Sequence, residues 1–130
     1  MIQRIQTVFL LFISIVTFIG FFLLPPIDFL SQGLPTSIVL ETYLFSTSGI
    51  SFLTMILFKR RKIQLFINRF HYFFQIVSAI GLVYGISHTN DLKTYLPWLA
   101  IPILVLILLL LSSNAIKKDE DLIRSIDRLR

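Results

Sequence analysis

Four long apolar runs divide the chain, each closed by polar or helix-breaking residues. The first, from about residue 7 to 24, stops at Pro25 and Pro26, where a missing amide donor and a restricted preceding residue end a helix. A short connection holding Asp28, Gly33 and Pro35 follows. The second run, about 38 to 58, stops at Lys59-Arg60-Arg61-Lys62. The third, about 64 to 87, is clean only from His71 to Ser87, because Arg69 interrupts the apolar stretch Ile63 to Phe70. Those first residues have two readings: an interfacial helix, or the end of a long tilted span whose Arg69 reaches the headgroups. The fourth, about 95 to 112, begins with Pro97 in a tolerated first-turn position and carries Pro102 inside, where a kink is expected. Each run suffices for roughly 20 residues of membrane-crossing helix. The expected fold is all-α, a membrane four-helix bundle over residues 1–113.

Beyond it the pattern changes to a charged amphipathic helix over residues 114–130. Asn114 is a candidate cap, and Ile116, Leu122, Ile123, Ile126 and Leu129 share one face at 100° per residue. Lys117 with Asp121 and Glu120 with Arg124 form i,i+4 pairs of opposite sign. The stripe has two destinations, the bilayer surface or a partner protein. Its acids dilute the attraction to anionic lipid and favour the protein slightly.

Charge orients the spans. Of twelve lysines and arginines, all but Lys93 flank the runs on the side shared by both chain ends and the loop after the second run. Positive charge collects in cytoplasmic loops, so both termini are expected in the cytoplasm. Tyr43, Tyr84, Tyr95 and Trp98 then fall near the opposite boundary, where amphipathic rings are favoured. The 55% hydrophobic content and mean hydropathy of +0.83 exclude an ordinary soluble domain. A net charge of +5 placed at the ends of apolar runs calls for the lipid bilayer as partner; nucleic acid is not expected. The first run exceeds the roughly 7–15 residues of a secretion-signal core and is expected to be a retained anchor, although Ser31 and Gly33 have the spacing of a weak cleavage site.

Candidate chemistry is sparse. The chain has no cysteine, and His71 and His88 stand at opposite ends of one run, so no metal site or cofactor is expected. No nucleophile elbow, zinc-protease, Walker or dinucleotide motif occurs, so no catalytic residue is assigned and an enzyme is not expected. Small residues mark two helix faces: Thr42, Ser46 and Gly49 on the second run, Ser78, Gly81 and Gly85 on the third. Packing of these faces within the chain is the first expectation, and a homo-oligomer interface the second. Glu41 is the one acid inside an apolar run. It lies close to the run's outer end, which suits a solvated carboxylate, with proton or cation handling as the alternative.

Residues 1–7, Arg61-Lys62-Ile63-Gln64 and the terminal stretch from Ala115 to Arg130 resemble a family of small four-span bacterial inner-membrane proteins built on a domain of unknown function. The resemblance implies a Gram-negative inner membrane and brings no activity and no catalytic residue. Its motifs sit at the termini and the basic loop rather than in the spans. The first functional expectation is therefore a scaffold or accessory subunit presenting its tail to a membrane or cytoplasmic protein. The alternative is a small oligomeric transporter or channel using Glu41.

Overall fold

The computed structural model describes residues 2–25, 27, 36–89 and 92–128. Four α-helices run α1 Ile2–Leu23, α2 Thr36–Ile56, α3 Arg61–Thr89 and α4 Leu92–Arg128. A single 3-10 turn, Leu57–Lys59, closes α2. Arg60 alone turns the chain into α3, its amide donating to the Leu57 carbonyl (2.9 Å) and its carbonyl accepting from the Gln64 amide (3.0 Å). All four helices are long and apolar enough to cross a membrane.

Their sides confirm which solvent they suit. Phe22, Phe45, Phe66, Phe73 and Ile80 point outward, while Gln6, Gln64, Asn68, His71 and Gln75 are buried. In water this distribution would be inverted; against lipid it is the favourable one. The protein is a membrane-type helical bundle.

α1 packs along α2 and α4, and α3 along α4, while α2 and α3 meet more sparingly. Side-chain pairs fix the register. Ser14 faces Ser48 (3.1 Å), Trp98 Nε1 donates to the Pro25 carbonyl (3.0 Å), and Arg61 pairs with Asp119 (2.8 Å). Leu10, Ile13, Leu44, Trp98, Val105 and Leu109 form the apolar core. The bundle thus has an aromatic end near Tyr95 and Trp98 and a basic end near Lys59–Lys62.

Two sequence alternatives resolve here. α3 is one unbroken helix of 29 residues, about 43 Å, so residues 63 to 70 continue the third helix and do not form a separate one. α4 passes through both prolines and through Asn114 without a break. Asn114 is therefore an interior residue rather than a cap, because no glycine or proline stops the hydrogen-bond ladder there. The tail expected to begin at residue 114 starts inside the bundle: Ala115 and Ile116 are buried, and Asp119 is clamped to Arg61. The connections holding Asp28, Gly33, Pro35, Asn90 and Asp91 lie outside the described residues, as does Leu129.

Candidate functional site

On α3, Gln64, Asn68, His71 and Gln75 recur at i, i+4, i+7 and i+11, which places them on one helical face. On α2, Tyr43, Thr47, Ser51 and Thr54 recur at i, i+4, i+8 and i+11. All eight are buried. The two faces meet as a polar column reaching from the middle of the bundle to its basic end.

Gln75, midway between Arg61 and Thr89, is the hub. Its Oε1 accepts from the Tyr43 hydroxyl, and its Nε2 donates to Thr47 Oγ1 (3.1 Å) and to His71 Nε2 (3.0 Å). An amide NH₂ only donates, so His71 Nε2 is the acceptor and the neutral imidazole carries its proton on Nδ1. One turn from the basic corner, Gln64 Nε2 donates to the Thr54 carbonyl (3.3 Å), while the Thr54 hydroxyl donates back to Ile50 (2.6 Å). Asn68 reaches across to Ser113 of α4 at 3.5 Å.

Gln75 itself is satisfied, and several of its neighbours toward the basic end are not. Among the described residues Ser51 Oγ, Gln64 Oε1, Asn68 Oδ1 and His71 Nδ1 have no hydrogen-bond partner, nor do both amide atoms of Gln6 and Ser112 Oγ. Such groups cost free energy in hydrocarbon and are retained where they serve a partner, a ligand or a path. The column is neutral, built of amides, hydroxyls and one imidazole. Among the described residues no three His, Cys, Asp or Glu side chains gather as a metal site would require. Its chemistry is hydrogen bonding to small polar groups.

The residues singled out from sequence lie mostly elsewhere. Glu41 and Thr42 are exposed on the outward side of α2 and do not join the column. Ser46 is half-buried. Gly49 and Gly81 are exposed, and a Cβ built on either meets nothing within 4 Å. The expected close packing of α2 on α3 through these glycines is therefore corrected: amides and hydroxyls take the seam, and the glycines turn outward. Ser78 is half-buried, its hydroxyl donating to the Phe74 carbonyl (2.9 Å), and Gly85 is buried. In the tail, Ile116 is buried in the bundle and Leu122 is exposed, while the side chains of Ile123 and Ile126 lie outside the described residues. Of the column, the sequence drew notice to His71 only as a histidine of the third run, to Tyr43 as a boundary aromatic and to Gln64 within the basic-loop motif; the periodicity of Gln64, Asn68, His71 and Gln75 was the signal available for the whole face.

A family model described as a domain of unknown function, DUF4293, matches residues 2–129. The chain belongs to that family. The DUF4293 match takes in all four helices, the polar column and the Arg61–Asp119 clamp. Neither a curated protein nor a solved structure matches this DUF4293 chain.

Proposed function

We propose that this protein is a membrane-embedded scaffold or accessory subunit that presents the end of α4 to a protein partner. The reading rests on α4 itself, a continuous helix of 37 residues, about 55 Å against a hydrocarbon thickness of about 30 Å. Its base is held by buried Ile116 and the Arg61–Asp119 pair, and beyond that clamp Leu122 is exposed. A helix held at its base projects a stripe at lower entropic cost than a free tail. The charge distribution supports a cytoplasmic basic end, and the bacterial inner membrane rests on the resemblance of the termini and the basic loop. Leu122→Asp with Ile126→Asp should abolish co-purification of the partner while leaving the protein inserted; an unchanged set of partners would refute the role. Orientation is tested separately. Single cysteines at Ser31 and Thr89 should label from outside and one at Ser125 should not.

The polar column favours a second reading, a small oligomeric transporter or channel. Glu41, on the outward side of α2, would need a second copy of the chain to enclose it. In liposomes this reading expects Glu41→Gln and Gln75→Leu each to abolish a proton- or cation-coupled flux. Absence of flux in the unsubstituted protein under every imposed gradient argues against it.

A further inference from the structure

Between α3 and α4 at the basic end runs a groove of about 250 Å³, lined by Asn68, Arg69 and Tyr72 of α3 and by Leu110, Ser113 and Lys117 of α4. Arg69 and Lys117 are both exposed, and among the described residues neither takes part in an ion pair, the expected Lys117–Asp121 pair included. The described lining of the groove holds no acid, so its two cations require an anion or bulk water.

Depth selects the anion. Crossing the hydrocarbon takes about 20 helical residues, so counting along α3 from Ser87 puts the far boundary near residue 67, level with about residue 114 of α4 by the Asn68–Ser113 and Arg61–Asp119 pairs. Arg69 and Lys117 therefore flank the headgroup level from its two sides, and Leu110 lies on the hydrocarbon side of the same groove. Phe73 and Leu111, both turned outward, continue that apolar wall. An occupant anionic at one end and apolar at the other fits this surface. Asn68, buried, with an Oδ1 that has no partner among the described residues, adds an acceptor for a headgroup hydroxyl.

The corner Lys59–Lys62 is the competing cationic patch, and it is the poorer site. Its groove is lined by Glu120 as well as by the bases, and Arg61 is already committed to Asp119. We propose that the α3–α4 groove binds one anionic glycerophospholipid, its phosphodiester between Arg69 and Lys117 and its acyl chain along Leu110.

Native mass spectrometry of the full chain, released from micelles containing phosphatidylglycerol and phosphatidylcholine, tests this. The expected result is selective retention of one phosphatidylglycerol. Two basic residues near an anionic headgroup are worth enough that Arg69→Gln with Lys117→Gln should weaken retention at least about tenfold. Lys59→Gln with Lys62→Gln removes the same charge and should leave retention within about twofold, since that patch lies outside the groove. Ser113→Leu fills the groove without changing charge and should also reduce retention. Equal losses in the two charge pairs would overturn the proposal, as would undiminished retention in the Arg69/Lys117 pair or in Ser113→Leu. Displacement by millimolar inorganic phosphate would overturn it as well, by making the site one for a soluble anion.

Discussion

The α1–α4 seam and the α2–α3 seam hold the same bundle together by different means. Along α1–α4 the side chains pack tightly: a Cβ at Gly20 would stand 3.0 Å from Ile101 Cδ1, and Leu10, Ile13, Val105 and Leu109 fill the core beside it. Along α2–α3 the contact is sparser, and hydrogen bonds through Gln75 and Gln64 carry it. Lipid tails are as apolar as leucine, so burying leucine against leucine gains no hydrophobic free energy in a bilayer. What remains is the quality of packing at one seam and hydrogen bonding at the other. The first demands shape and the second demands chemical identity.

Overpacking the first seam should have the largest effect. Gly20→Leu is expected to cost roughly 1–3 kcal/mol, measured as unfolding free energy in bicelles. Gly20→Ala should cost far less, because the atom it meets is the end of a flexible side chain. Equal tolerance of leucine and alanine would show that α1 and α4 do not meet as closely as the structure has them.

Emptying the hub of the second seam comes next. Gln75→Leu removes the bonds to Tyr43, Thr47 and His71 and should cost about 1–2 kcal/mol, since single interhelical bonds in membranes average about 0.6 kcal/mol. A double-mutant cycle with Tyr43→Phe should return a coupling of about 0.5 kcal/mol or more. Zero coupling would leave the column as packing without specificity.

The Arg61–Asp119 pair bridges α3 to the end of α4 with both side chains largely covered. Asp119→Asn should cost about 0.5–1 kcal/mol at low salt, and the difference from the unsubstituted protein should shrink in high salt. A salt-independent difference would assign the effect to packing. Smallest of all, Gly49→Ala and Gly81→Ala should raise stability by a few tenths of a kcal/mol through helix propensity, because nothing among the described residues crowds either position. Loss of stability at either would show that the open glycine meets a second copy of the chain.

Much of the fold was legible before any coordinates. Runs ended by Pro25-Pro26 and by Lys59–Lys62 delimit α1 and α2 because prolines and clustered charges stop membrane helices for local reasons. The extent of α3 was legible only as two alternatives, since Arg69 suits either an interfacial or a membrane-boundary position. The buried face was the harder inference. Thr42, Ser46 and Gly49 invite close helix packing, yet the face that turns inward is Tyr43, Thr47, Ser51 and Thr54, one residue or about 100° away. Small residues tolerate lipid, whereas amides and hydroxyls that need partners do not, so the polar residues take the seam. The periodicity of Gln64, Asn68, His71 and Gln75 carried this information. The Arg69–Lys117 groove carried none, because it depends on how far α4 continues beside α3, and the sequence suggested a new element at Asn114.

Trp98 closes the aromatic end of the α1–α4 seam, 2% exposed and with its indole nitrogen held by the Pro25 carbonyl. It is also the only tryptophan in the chain. Fluorescence excited at wavelengths too long for tyrosine therefore arises from one defined spot. A red shift in that emission reports separation of α1 from α4 at that end.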